Sequence, residues 1–152
     1  MKILIATDGS EFSDAAVEKT CEIIKNAENA VVKIISAFEQ PLMVAASPYG
    51  VYPGGNPVLE NDLKGLSLQA IANAEEYIRK RFPDLKQDLT ARILHGSPGQ
   101  MIVAEAEKWG ADLIVVGSHG YGFLERVFLG SVSDAVIHHA PCSVMVVRKP
   151  AS

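Results

Sequence analysis

The chain has 152 residues, 48% hydrophobic and 21% charged. That suits one globular domain of about 100–200 residues that buries enough core to fold without disulfide or metal. A net charge of −4 and no Lys/Arg run beyond Arg79-Lys80-Arg81 give no sign of a nucleic-acid or anionic-membrane partner. Cys21 and Cys142 stand far apart with no C-x-x-C spacing, which reads as two reduced thiols. The N-terminal apolar run is too short for a signal peptide, and no stretch approaches the roughly 20 apolar residues of a membrane span. The expected location is the cytoplasm.

Residues 2–6 form an apolar run without alternation, the mark of a strand buried on both faces. Asp8, Gly9 and Ser10 break it. A helix is expected from residue 12 or 13 to 26, with Ala16, Thr20, Ile23, Ile24 and Ala27 at helical spacing and Ser10 or Ser13 as N-cap. Residues 31–37 read as the second strand. The segment 38–57 carries four prolines and three glycines and is expected to be a long loop without regular structure. Loops of that length are commonly functional. Residues 59–82 form an amphipathic helix stopped before Pro83. Residues 89–94 read as a strand, and 98–109 as a helix opened by Pro98 and closed by Gly110. Residues 113–116 are again an apolar strand, 131–139 a helix, and 143–147 the last strand.

Strand and helix alternate along the whole chain, so one α/β domain spanning residues 1–152 is expected, with five parallel strands and helices on both faces. Such doubly wound sheets bind ligands outside the carboxyl ends of their strands, where the strand order reverses. Asp8, the end of the second strand near Ala37, and Gly117 all fall on that edge.

Gly117-Ser118-His119-Gly120 follows the fourth apolar strand, and Gly130-Ser131 opens the next helix. Glycines let a backbone approach an anion, and the first N–H groups of a helix lack intrahelical partners. A phosphate ligand is the reading this favours. The spacing is not G-x-x-x-x-G-K-[ST], and Gly120-Tyr121-Gly122 lacks the third glycine of a dinucleotide fingerprint. The usual ATPase and dehydrogenase motifs are therefore missing. Read without reference to other proteins, Asp8 can equally be a turn-forming residue, Ser10 a cap, and Gly130-Ser131 a turn and an N-cap. His119 invites a catalytic role, but no acidic partner is recognisable to orient it. His138 and His139 suit a helix C-terminus. Arg126 reads as a solvated loop residue or a contact to a terminal phosphate.

Asp8 after the first strand, Gly117-x2-Gly120-x9-Gly130-Ser131, and the segment GSVSDAVIHHAPCSVMVV together resemble the universal stress protein family, over the whole chain. The resemblance implies a flavodoxin-like, adenine nucleotide alpha hydrolase-like sheet of strand order 3-2-1-4-5. The family divides into members that bind ATP through G-x2-G-x9-G-[ST] and members without the motif that do not. Having every position of the motif, this chain resembles the binders.

The resemblance places Gly117 and Gly120 beside the ribose and first phosphates, Gly130 and Ser131 at the outer phosphates, and backbone near Ala37 at the adenine. Asp8 falls on the ribose side, near a Mg or Mn ion held by the phosphates. Thr7, Ser118, His119, Val132 and Ser133 complete the implied contacts with ATP, or with AMP or ADP. A valine at position 130 is expected to fill the phosphate's place and abolish binding with the fold largely intact. The resemblance also implies a homodimer through the last strand, Val144, Met145, Val146 and Val147, whose bare apolar edge is otherwise an association hazard. The tail Arg148-Lys149-Pro150 is the alternative cover.

The function expected is that of a universal stress protein with ATP as regulatory ligand and at most slow hydrolysis. The alternatives are a slow ATPase or nucleotide-dependent enzyme, and a nucleotide-free module that binds an unknown protein partner.

Overall fold

The computed structural model describes residues 1–40, 43–47, 50–54, 56–120 and 129–149. Five parallel strands form the central sheet: β1 (Lys2–Ala6), β2 (Val31–Phe38), β5 (Leu89–His95), β6 (Leu113–Gly117) and β7 (Ser143–Val147). They lie in the order β5-β2-β1-β6-β7, which is the expected 3-2-1-4-5 when these five are counted in chain order. Pairing is parallel throughout, with Ile5 opposite Ile34 on one side of β1 and Val115 on the other. The order reverses between β1 and β6, so a crevice is expected where these two strands end.

The strands at the centre are apolar on both faces because both faces are covered. Ile3 and Ile5 pack with Val32 and Ile34 beneath α1 (Glu11–Asn26) and α2 (Pro57–Arg81). Leu4, Ile35 and Ile114 pack on the other face beneath α3 (Pro98–Trp109) and α4 (Ser131–His139). Ile3, Leu4 and Ile5 are all fully buried. At roughly 1.5–3 kcal/mol for each large apolar side chain taken from water, this strand is a principal anchor of the fold.

Cap chemistry sets the helix starts. Ser10 caps α1 by accepting from the Ser13 N–H, which decides between the two serines and begins the helix at Glu11. Asn56 caps α2, its Oδ1 accepting from Val58 N at 3.0 Å and Leu59 N at 3.4 Å, with Pro57 in the first turn. Asn followed by Pro is a strong start signal. It outweighs the proline content of the preceding segment, so α2 begins two residues before the expected Leu59. Gly110, with φ 68°, ends α3 in the left-handed conformation, as its place after Trp109 suggested. A short 3₁₀ turn, Pro83–Gln87, precedes β5 and was not expected.

The expectation that 38–57 lacks regular structure is corrected. β3 (Met43–Ser47) and β4 (Gly50–Gly54) form an antiparallel ribbon with Met43 opposite Gly54 and Ala45 opposite Tyr52. Pro53 and the glycines argued against a strand. In a two-stranded ribbon, however, each strand is an edge, where a residue without an N–H is tolerated.

Candidate functional site

At the end of β1 the backbone turns sharply, with Gly9 at φ 79°, a left-handed conformation that favours glycine. Asp8 Oδ1 accepts from Ser10 N at 3.0 Å, and Gly9 N donates to Thr7 Oγ1 at 3.2 Å. Ser13 Oγ donates to the Ser10 carbonyl at 2.9 Å, which leaves it to accept from Thr7 Oγ1 at 3.1 Å. These bonds tie the β1–α1 turn together and hold one Asp8 carboxylate oxygen against the first turn of α1.

At the end of β6, Ser118 N donates to Val147 O and so extends the ladder to β7. The Ser118 carbonyl then accepts twice, from Gly130 N at 2.8 Å and from Ser133 Oγ at 3.1 Å. These two bonds tie the strand end to the start of α4. Ser118 is buried and its Oγ lies 3.0 Å from His119 Nδ1. The His119 ring packs against Phe12 with centroids 5.1 Å apart.

The three motif glycines have different reasons to be glycine. A Cβ on Gly117 would stand 2.7 Å from the carbonyl carbon and oxygen of Phe12, so the residue lets β6 and α1 touch backbone to backbone. A Cβ on Gly130 would stand 3.2 Å from His119 Cα and 3.3 Å from Ser118 O. This alters the expectation for valine there: the side chain would first push on the loop's own backbone rather than simply fill a phosphate position. At Gly120 a Cβ would meet Asp8 Oδ2 at 2.6 Å, the flexible end of a side chain at the cavity.

α4 begins at Gly130 without a side-chain cap, as α3 does at Ser97 and unlike α1 and α2. The leading N–H groups at Ser131, Val132 and Ser133 therefore rely on something other than a capping side chain, and the helix dipole adds partial positive charge there. They border a cavity of about 350 Å³ at the carboxyl edge of the sheet. Among the described residues no lysine or arginine lines it. Arg126 lies outside the described residues. Negative charge on the β1 side comes from Asp8. Its effect is felt at Asp14, whose carboxyl is pushed above its usual range by burial first, then by the charges of Asp8 and Glu18.

The cavity gathers nearly all the residues implied by the sequence: Thr7, Asp8, Ala37, Gly117, His119, Gly120, Gly130, Ser131, Val132 and Ser133. Ser118 does not line it. It stands behind the wall and acts by holding Gly130 and Ser133. The sequence reading missed the far end, where Ser36 and Phe38 of β2 face Leu63, Leu66 and Ser67 of α2, with Pro98 and Ile102 of α3 alongside. A signal was present in α2, where polar Ser67 continues the stripe of Ile71, Ala74 and Ile78. Leucines at 63 and 66 read as ordinary core residues at that spacing.

The four β7 residues are each partly buried. Met145 and Val147 lean on the α1/α2 face, and Val144 and Val146 on the α3/α4 face. β7 pairs with β6 on one side and ends the sheet on the other. Beyond it, Lys149 pairs with Glu11 at the start of α1. Among the described residues no helix is long and apolar enough to cross a membrane.

The topology and the cavity at the point of strand-order reversal define a doubly wound α/β domain with an open switch-point crevice. The sequence model of the universal stress protein family matches residues 1–148, and the chain belongs to that family. It is 35% identical over 151 residues to universal stress protein MJ0531 of Methanocaldococcus jannaschii, covering 98% of this chain and 82% of that protein. The solved universal stress protein UspA from Lactobacillus plantarum is 27% identical with a TM-score of 0.68, covering 97% of each chain. A universal stress protein family structure from Arabidopsis thaliana, described with AMP bound, shares the fold at a TM-score of 0.62 and 23% identity, covering 99% of this chain and 93% of that one.

Proposed function

We propose that this protein is an ATP-binding universal stress protein in which the nucleotide is a regulatory ligand and hydrolysis is slow at most. The observation that carries the reading is the uncapped N-terminus of α4, aimed with Gly130 and Ser131 at a cavity that Asp8, Ala37 and Gly120 also line. A helix start without a side-chain acceptor favours an anion even where no lysine is present. The apolar end beside Ala37 suits a base, and the Arabidopsis protein of this fold described with AMP bound supports an adenine nucleotide.

Asp8 is the one carboxylate among the described lining residues. One carboxylate with nucleotide phosphates is a usual ligand set for Mg, whereas an all-protein cage is not. These residues fit a Mg or Mn ion brought by the phosphates, with Asp8 on its protein side. The ion would offset phosphate charge next to that carboxylate. Slow hydrolysis at most is the reading that the described lining supports. Among its described residues there is no lysine, arginine or glutamine to stabilise a transferring phosphoryl group or position water.

The test is turnover under saturation with MgATP. ADP should form far more slowly than about 1 per second, the slow end of dedicated enzymes. Faster turnover that Asp8→Ala abolishes while leaving ATP affinity intact would mark an enzyme instead.

The same reading places the protein in the cytoplasm and pairs it with a second copy through Val144, Met145, Val146 and Val147. The support is an apolar strand at the end of the sheet whose side chains are each partly exposed, an arrangement that invites pairing unless covered. Sedimentation equilibrium should give twice the chain mass. A monomer at micromolar concentration would remove the dimer from this account.

A further inference from the structure

Two buried hydroxyls at the inner end of the cavity stand apart from every other buried polar side chain. Among the described residues, Thr20 donates to the Ala16 carbonyl, Ser133 to the Ser118 and Gly130 carbonyls, and Glu105 accepts from Lys33. Thr7, Ser10 and Ser13 satisfy one another, and Ser118 meets His119. Ser36 and Ser67, 2% and 6% exposed, have no hydrogen-bond partner among the described residues, and both line the cavity. A helical serine at a buried position ordinarily returns its proton to a carbonyl one turn back, as Thr20 does. Ser67 does not.

Both serines lie on the surfaces that β2 and α2 pack against each other. Ser36 continues the β2 row of Val32 and Ile34, which packs toward α2. Ser67 continues the α2 row of Ile71, Ala74 and Ile78, which packs back on the sheet. At core-type positions on both surfaces, where the pattern calls for apolar residues, the chain places hydroxyls instead. Leu63 and Leu66 flank them. β2 lies two strand spacings from β6, about 10 Å, so this end is separated from the α4 N-terminus by roughly the length of a nucleoside monophosphate.

We infer that Ser36 and Ser67 form a polar subsite that hydrogen-bonds the edge of the nucleobase, inside an otherwise apolar slot, while α4 holds the phosphate. A hydroxyl both donates and accepts, so the pair suits a base edge that presents a ring nitrogen beside an exocyclic amine. The inference rests on the nucleotide reading above and adds which side chains read the base.

The test is Ser36→Ala, Ser67→Ala and the double variant, titrated with AMP and with ribose 5-phosphate, which lacks the base. Each substitution should weaken AMP about 5- to 10-fold, the usual worth of one hydrogen bond in a dry site. Ribose 5-phosphate affinity should not change. Melting temperatures without ligand should hold or rise, because a hydroxyl that makes no hydrogen bond among the described residues is replaced by a methyl group. Parental AMP affinity in the double variant would overturn the inference. So would equal weakening of both ligands, or a lowered melting temperature, which would mean that the hydroxyls serve the fold. If the parent protein binds neither AMP nor ATP, the nucleotide reading fails and this subsite fails with it.

Discussion

Gly120→Val should lower the affinity for MgATP at least about 100-fold, equivalent to about 2.8 kcal/mol, with little change in thermal midpoint. Position 120 lines the cavity, and a Cβ there points at Asp8 Oδ2 at 2.6 Å. The backbone is not left-handed there, so valine can adopt it. What yields is the tip of the Asp8 carboxylate, which is cheap for folding. The cost falls on the site, where Asp8 loses the orientation set by Ser10 N and two methyl groups enter ligand space. Gly117→Val would not separate these effects, because its Cβ meets Phe12 backbone and α1 would have to move off β6. Titration with MgATP beside a thermal melt checks the prediction. Parental affinity in Gly120→Val would mean that the ligand does not pass this wall.

The second large effect concerns the fold. Glu105 on α3 is 6% exposed and accepts from Lys33 Nζ of β2 at 2.9 Å, with Arg92 Nη1 of β5 at 3.4 Å. The Lys33 ammonium also lies 4.6 Å from the centre of the Trp109 ring. Glu105→Ala should destabilise the protein by about 3 kcal/mol, because it leaves a largely buried ammonium, 12% exposed, without its counter-charge. Replacing both partners, Lys33→Met with Glu105→Leu, should restore most of that loss. Denaturant unfolding of the three variants decides it. Equal losses in the single and double variants would show that packing, rather than charge, is at stake.

A pH dependence follows from the same pair. Burial works to raise the Glu105 carboxyl, but the hydrogen bond and charge of Lys33, then the charges of Arg92 and Lys108, outweigh it and leave the group below its ordinary value of 4.5. A carboxyl that titrates lower when folded gives its full stabilisation above the unfolded value. It loses that stabilisation as pH falls through the folded value. Unfolding free energy should therefore drop on acidification below about pH 4.5, with a shallower slope in Glu105→Gln. An unchanged slope would contradict the assignment.

The sheet was legible because its signals are local and redundant. Lys2–Ala6 and Leu113–Gly117 are short apolar runs bounded by polar or glycine residues, and each intervening helix carries its own cap or stop. Right-handed crossovers gave a parallel sheet with helices on both faces, while the strand order itself was what the family resemblance implied. The α4 end of the cavity was legible for the same reason, since Gly117 to Ser133 is one stretch of chain. The β2–α2 end was not, because it is assembled from residues separated by 66 positions, Ser36 to Ile102. Ser67 and Leu66 acquire a role only once α2 packs on β2. Gly130 lines the cavity, yet the reason for a glycine there is the nearness of the His119 backbone, which spacing does not reveal. The ribbon Met43–Gly54 was missed because strand propensity is weak evidence where both strands are edges.

The central claim is that the cavity between Asp8, Gly120 and the α4 N-terminus holds an adenine nucleotide. Calorimetric titration of nucleotide-stripped protein with MgATP, alongside AMP and GTP, tests it most directly. The account predicts saturable ATP binding near one per chain with a dissociation constant at or below about 1 μM, some −8 kcal/mol, and its loss in Gly120→Val. No saturable heat with any of the three nucleotides would contradict it, and the β7 edge would then be the surface to search for a protein partner.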